Sequence, residues 1–128
     1  MSRPYRPVRE LEAHLARGEL ESAIALAGVI ARERREPLEL AVTARFLPLV
    51  AHVRPREFDR WALRWLERWC QERRDGASID DAVDVARALA AIPVDPDVGL
   101  AGLVGLAAPG AGRAAARSPG QAGARRRR

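Results

Sequence analysis

The 128-residue chain has no lysine and no asparagine, so all 22 of its basic residues are arginine. Without lysine it cannot carry a P-loop phosphate lysine, a Schiff-base lysine or a kinase strand lysine. Without asparagine it has no N-glycosylation acceptor. Other reactive groups are scarce, with four Ser, one Thr, one Cys and two His. These absences exclude several chemistries, and the reactive residues that remain form no catalytic constellation, so we expect a protein that is not an enzyme and binds no cofactor.

Histidine and cysteine do not form a metal-binding motif. His14, His52 and Cys70 lie 38 and 18 residues apart, which does not match the ligand spacing of a zinc site. A lone cysteine cannot form an internal disulfide and is typical of a reducing compartment. Neither an apolar signal segment at the N-terminus nor a run of the roughly 20 apolar residues needed to cross a bilayer is present. The sequence therefore predicts a cytoplasmic protein without a membrane span.

Positive charge is concentrated near the C-terminus. Residues 1–108 carry 16 arginines and all 17 acidic residues, a net charge of −1, whereas residues 109–128 carry six arginines and no acid. This second segment has no Leu, Ile, Val or aromatic side chain to bury, so we predict a disordered tail. It is either a product of GC-rich codons with no selected role, or an arm that binds nucleic acid or an acidic partner. In the second case, phosphates are contacted without sequence preference by Arg125, Arg126, Arg127 and Arg128.

Residues 1–108 are predicted to form one helical domain. Apolar residues recur at spacings of three and four, and alternation at period two is absent. The pattern predicts five to six helices, at about residues 7–17, 19–33, 37–53, 55–73, 78–92 and 97–107. The connections are short, so successive helices should run antiparallel. The predicted fold class is all-α, with helical hairpins arranged as a small bundle or a short α-solenoid-like stack.

Local signals predict where these helices begin, bend and end. Gly18 should be left-handed at the end of the first helix, and Pro48 should bend the third helix near Ala44 or Arg45. Predicted starts are Pro37 for the third helix, Ser78 with Asp81 in a capping box for the fifth, and Asp95 with Pro96 for the last. The neighbouring acids Asp75, Asp80 and Asp84 are interpreted as helix-end charges rather than calcium ligands. The inward stripe predicted for the fifth helix consists of Ile79, Ala82, Val83, Ala86, Leu89 and Ala90.

Two segments resemble known proteins. Residues 18–27, Gly-Glu-Leu-Glu-Ser-Ala-Ile-Ala-Leu-Ala, resemble the turn and second helix of a tetratricopeptide repeat, without a second copy at a period of about 34 residues. This resemblance implies a helical hairpin with a glycine turn and a close approach at a small alanine. Residues 54–66, Arg-Pro-Arg-Glu-Phe-Asp-Arg-Trp-Ala-Leu-Arg-Trp-Leu, together with the capped helix that follows, resemble short all-helical actinobacterial proteins of unknown function. That resemblance implies an all-helical fold and no particular activity.

The strongest local pattern is an Arg-Trp dipeptide repeated every four residues between positions 60 and 69. Spacing of four places the tryptophans in one row along a helix and the arginines in the next. One interpretation is a protein-binding surface of the residue types that dominate interface hot spots, formed by Trp61, Arg64, Trp65, Arg68 and Trp69. The other is a buried stripe with arginines along its edge, paired with Glu57, Glu67 or Glu72, and with Trp61 or Trp69 at the rim. That stripe would also include Phe58, Ala62, Leu66 and an inert Cys70.

The predicted function is a non-catalytic helical module that binds a protein partner of unknown identity. This prediction rests on the hairpin pattern, the Arg-Trp row and the lack of a catalytic constellation. The alternative is an accessory nucleic-acid-binding protein that uses its C-terminal arginines. The two hypotheses differ in which part of the chain makes contact: the helical domain in the first, and the tail in the second.

Overall fold

The computed structural model describes residues 6–107 except 74, 75 and 77, and every regular element in that part is helical. Its helices are α1 (Arg6–Ala16), α2 (Leu20–Arg34), α3 (Leu40–Ala44), α4 (Phe46–Val53), α5 (Phe58–Glu72), α6 (Ile79–Ala91) and α7 (Pro96–Ala107), with a 3-10 turn at Pro55–Glu57. Because α3 and α4 are two halves of one bent segment, the described part has six helical segments. The predicted all-α small bundle is confirmed. The tail predicted for residues 109–128 lies outside the described residues.

The bend in the third helical segment lies at Arg45, between the end of α3 at Ala44 and the start of α4 at Phe46. Pro48 lacks a backbone N–H and cannot donate to the carbonyl of Ala44, four residues earlier. The helix is therefore interrupted at Arg45, one of the two predicted positions, and the missing N–H of Pro48 is the physical reason we give for it.

The predicted start of this segment at Pro37 is wrong. α3 begins at Leu40, and Glu39 before it has an extended backbone, with φ −62° and ψ 150°. Leu38 is 5% exposed and belongs to the core. The non-helical stretch between α2 and α3 carries Leu38 into the core, so the burial of this side chain prevails over the helix-start preference of proline.

The α3–α4 segment is central, as its almost uniformly apolar sequence predicts. It packs against α2, α5 and α7, while α1 packs on α2 and α6 packs along α7. The segment contributes five buried side chains to the core, namely Leu40, Ala44, Phe46, Leu47 and Val50. No helix in the described part is long and apolar enough to cross a bilayer.

The α1–α2 connection is a tight glycine turn. Gly18 has φ +77°, as predicted for a left-handed residue that ends a helix. The N–H of Gly18 donates to the carbonyl of Leu15 at 3.1 Å, and the N–H of Glu19 donates to the carbonyl of His14 at 2.9 Å. This pair of hydrogen bonds is a Schellman motif, which satisfies the last carbonyls of α1 and directs the chain into α2.

The α6–α7 hairpin is capped at both helix starts, as predicted. The N–H of Asp81 donates to Ser78 Oγ at 3.1 Å, and the N–H of Ser78 donates to Asp81 Oδ2 at 3.3 Å, which completes a capping box. At the start of α7, the N–H of Val98 donates to Asp95 Oδ1 at 3.4 Å. These bonds satisfy N–H groups that have no partner within their own helix.

The two helices of this hairpin approach closely because α7 presents glycine to α6. A Cβ atom at Gly99 would lie 2.6 Å from Ile92 Cγ1 and 2.8 Å from the carbonyl oxygen of Ala88. A Cβ atom at Gly102 would lie 3.2 Å from Ala88 Cβ. The approach therefore depends on the absence of side chains at these positions.

The predicted inward stripe of α6 is largely wrong. The stripe placed Ile79, Val83, Ala86 and Ala90 inside, but all four are exposed, and Ile79 is 83% exposed. The helix buries Val85 and Leu89 instead, with Ile92 just beyond its end. α6 is apolar on two faces, and only the face that includes Ala88 allows the close contact with the glycines of α7.

Candidate functional site

The structure divides the three tryptophans of α5 between the core and the surface. Trp69 is fully buried, Trp65 is 5% exposed, and Trp61 is only partly buried. This distribution fits the buried-stripe interpretation with Trp61 at the rim. The prediction that Cys70 continues the buried stripe is wrong, because the cysteine is exposed. Cys70 follows Trp69 by about 100° around the helix and so leaves the face that packs inward.

Trp69 joins α5 to the end of α7. Its Nε1–H donates to the carbonyl of Leu106 at 3.1 Å, and Nη2 of Arg73 donates to the same oxygen at 2.5 Å. The guanidinium of Arg73 also lies over the Trp69 ring, 5.6 Å from its centroid. Leu106 belongs to the last turn of α7, where the backbone carbonyls accept no hydrogen bond from their own helix. Trp69 therefore stabilises the core and does not reach the surface groove described below.

Trp65 joins α5 to α3. Its Nε1–H lies 3.1 Å from both the carbonyl oxygen of Leu40 and Oγ1 of Thr43. A buried indole N–H needs such an acceptor, and both acceptors lie on the short helix before the Arg45 bend. These bonds hold the helix that carries the Arg-Trp row at a fixed position against the central segment.

A surface groove runs between α2, the α3–α4 segment and α5, with a volume of about 360 Å³. We call it the aromatic groove. Its lining side chains are Ile24, Ala27, Leu38, Thr43, Phe46, Leu47, Trp61, Arg64, Trp65 and Arg68. The rings of Phe46 and Trp61 stack within it, with centroids 6.0 Å apart and an interplanar angle of 21°. The groove thus brings together Trp61, Arg64, Trp65 and Arg68 of the predicted binding surface and omits Trp69.

Two arginines line the groove beside its aromatic side chains. Arg68 is compensated, since its Nε–H donates to Glu72 Oε2 at 2.6 Å. Arg64 is exposed and has no acidic partner among the described residues. Of the arginine–glutamate pairs predicted for this row, the Arg68–Glu72 pair is present. The groove therefore combines an apolar lining with one uncompensated positive charge.

The side chains of the groove are suited to binding. Arg64 and Arg68 are cations at neutral pH, and the hydroxyl of Thr43 donates to the carbonyl of Leu40 at 3.1 Å within its own helix. The other lining residues are aliphatic or aromatic. In the described part of the chain, no group of three His, Cys, Asp or Glu side chains could hold a metal ion. An apolar body with an anionic group is the ligand that this lining complements.

A second polar cluster lies at the α1–α2 turn, away from the groove. Glu19 accepts hydrogen bonds from Arg17 Nε and Nη2, both at 3.1 Å, and lies 2.6 Å from Nδ1 of His14. The hydrogen bonds from Arg17, followed by that from His14, lower the pKa of Glu19 from its ordinary 4.5 to about 2. The same contact raises the pKa of Arg17. The cluster is exposed and stabilises the turn beside the Schellman motif.

Sequence reasoning found the α5 side of the aromatic groove and missed the opposite side. Phe46, Leu38 and Ile24 come from three other segments, and each reads in the sequence as an ordinary core residue. The one available signal was the helix break predicted from Pro48, because Phe46, which stacks on Trp61, lies directly after that break. The predicted nucleic-acid-binding residues, Arg125 to Arg128, lie outside the described residues.

No protein-family model, curated protein or solved structure matches this chain. The resemblances to a tetratricopeptide repeat and to actinobacterial helical proteins therefore stay predictions.

Proposed function

We propose that the protein is a non-catalytic interaction module whose aromatic groove binds an apolar, acidic segment of a partner protein. One observation carries this proposal: a partly exposed tryptophan and an uncompensated arginine, Trp61 and Arg64, line the same groove. Tryptophan and arginine are the residue types that most often supply binding energy at protein interfaces.

Trp61 supplies the apolar part of the proposed contact. Covering the exposed part of its ring would release about 25 cal/mol for each Å² of apolar surface removed from water. Its ring stacks on Phe46, which is 3% exposed and fixed in the core. Because this stacking already orders the indole, little side-chain entropy remains to be lost when a partner binds.

Arg64 supplies the charged part of the contact. A carboxylate of the partner can pair with its free guanidinium, and a charge-assisted hydrogen bond of this kind contributes about 1.5–3 kcal/mol. Arg68 is the second cation of the lining, already shared with Glu72. The same charges disfavour a basic occupant, including the arginine-rich residues 109–128 of this chain. We therefore assign the groove to an acidic segment.

The proposal is tested by selecting binders to the full chain from a displayed library of random short peptides. We expect enrichment of peptides that combine aromatic or aliphatic residues with Asp or Glu. An enriched peptide is then titrated while tryptophan fluorescence is followed, because Trp61 is the most exposed of the three indoles. Arg64→Glu and Trp61→Ala should each weaken binding by about tenfold or more, as expected for residues at the centre of an interface.

The matched control is Arg60→Glu, the same charge change one turn earlier on α5 and outside the groove. Its effect should stay within about threefold, since it alters only the long-range field. Circular dichroism establishes that each variant is folded. Selection of peptides without acidic residues, or equal binding by wild type, Arg64→Glu and Trp61→Ala, would overturn the proposal.

A further inference from the structure

The outward side of α6 carries a second apolar face that nothing in the described part of the chain covers. Ile79 is 83% exposed and Val83 is 40% exposed, and Ala86 and Ala90 are exposed as well. Their spacings of four, three and four residues are those of the seam by which one helix packs against another. We call these four residues the α6 face. Beside it, on α5, lies Leu63, which is 64% exposed.

We propose that the α6 face binds the same face of a second copy of this chain, with the two α6 helices antiparallel across a two-fold axis. An axis midway between Asp84 and Val85 places Ile79 opposite Ala90 of the partner subunit. The same axis places Val83 opposite Ala86 of the partner subunit. Each large side chain then meets a small one, which allows close packing along the whole seam.

The charges that flank the seam select the same arrangement. Asp80 and Arg87 lie seven residues apart on one edge of the face, are exposed, and have no ion-pair partner among the described residues. In an antiparallel pair, equivalent edges face each other, so Asp80 lies beside Arg87 of the partner subunit, and symmetry generates this contact twice. A parallel pair would place these charges beside Ala82 and Leu89 of the partner subunit, where no compensation occurs. Charge complementarity therefore identifies a second copy as the occupant.

This self-association is independent of the aromatic groove. Leu63 and Trp61 are two residues apart on α5 and so lie about 200° apart around that helix. The α6 face is consequently on another side of α5 from the groove. Pairing of two copies through α6 leaves both grooves open to partners, and failure of one proposal does not imply failure of the other.

The test is a charge exchange on the full chain, followed by sedimentation velocity. Asp80→Arg and Arg87→Asp each place like charges at both symmetric contacts, and each should weaken self-association by about tenfold or more. An equimolar mixture of the two variants should dimerise as wild type does, because every mixed dimer contains two opposite-charge contacts. The face is small, so concentrations up to about 0.5 mM are needed to populate the wild-type dimer.

A second variant tests the seam itself. Ala86→Glu places a charge at the centre of the face and should give a monomer, whereas Ala25→Glu, the same change at an exposed position of α2, should leave the dimer intact. Circular dichroism verifies that all variants are folded. A wild-type chain that is monomeric over the whole concentration range would overturn the proposal. So would a dimer that Ala86→Glu does not dissociate, or a charge-exchanged mixture that stays monomeric.

Discussion

Each tryptophan of α5 has a role decided by the groups that meet its ring. The indole N–H groups of Trp65 and Trp69 both donate to backbone carbonyls of other helices, at Leu40 and Leu106. Trp61 instead stacks on Phe46 and remains partly open to water. Trp65 and Trp69 therefore anchor α5 to other helices, whereas Trp61 is a candidate binding residue.

The anchoring role of Trp65 predicts that substitution by phenylalanine lowers the free energy of unfolding more at Trp65 than at Trp61. Trp65→Phe removes the donor to Leu40 and Thr43 and leaves a buried carbonyl with fewer partners, so the free energy of unfolding should fall by about 1–3 kcal/mol. Trp61→Phe keeps an aromatic ring against Phe46 and should cost less than about 1 kcal/mol. Urea unfolding followed by far-ultraviolet circular dichroism measures both. Equal losses in the two variants would contradict the anchoring role.

The cluster at Glu19 predicts a pH dependence of stability. Its pKa is about 2 in the folded chain and 4.5 ordinarily, so its stabilising contribution is fully present above pH 4.5 and is lost as the pH falls toward 2. Glu19→Gln should therefore lose less stability than wild type over this interval, as judged by urea midpoints at several pH values. The difference should shrink in about 1 M salt, because the cluster is exposed and its charges are screened.

The control for this pH experiment is Glu39→Gln, since Glu39 is exposed and has no ion-pair partner among the described residues. Its stability should follow the same pH curve as wild type between pH 4.5 and 2. If Glu19→Gln and Glu39→Gln change the dependence of stability on pH alike, the hydrogen bonds from Arg17 and His14 to Glu19 do not cause the loss of stability at low pH.

At the scale of elements, the glycines of α7 have opposite effects on stability, depending on whether they contact another helix. Gly99 lies against the backbone of α6, whereas a Cβ at Gly105 would meet nothing within 4 Å. Glycine inside a helix is unfavourable by about 1 kcal/mol relative to alanine unless packing requires it. The glycines of α7 therefore differ in effect, although the sequence presents them as equivalent.

This difference predicts that alanine substitutions at Gly99 and Gly105 change the free energy of unfolding in opposite directions. Gly99→Ala should destabilise the protein by about 1–3 kcal/mol, because the added methyl group overlaps the carbonyl of Ala88 and the end of α6. Gly105→Ala should stabilise it by about 0.5–1 kcal/mol through helix propensity alone. Thermal unfolding of the two variants beside wild type provides the comparison. A stabilised Gly99→Ala variant would show that the two helices are not in the close contact described.

Helix ends were predicted better than helix faces. Gly18 and the Ser78–Asp81 capping box act through hydrogen bonds within a few residues, so their sequence determines their structure. The start at Pro37 and the inward stripe of α6 failed for a different reason. In both cases the outcome depended on tertiary packing: the core that receives Leu38, and the glycine surface of α7 that receives Ala88.

At the scale of the whole molecule, α5 separates two surfaces with different proposed partners. The aromatic groove on one side suits an acidic segment, and the α6 face on another side suits a second copy of the chain. A monomeric Ala86→Glu variant should therefore keep the peptide affinity of wild type, which the same fluorescence titration checks. Nucleic-acid binding through the arginines of residues 109–128 stays a prediction, because these residues lie outside the described part.

The sequence by itself determined the helical character of the chain, its caps, the Arg45 bend and the near-absence of reactive side chains. Each of these depends on contacts among neighbours or on composition. The tertiary structure alone decided which face of α6 is buried, which tryptophan stays at the surface and which side chains complete the groove. Those outcomes are competitions between faces of similar apolar character, and the buried face is the one that packs more closely against the other helices.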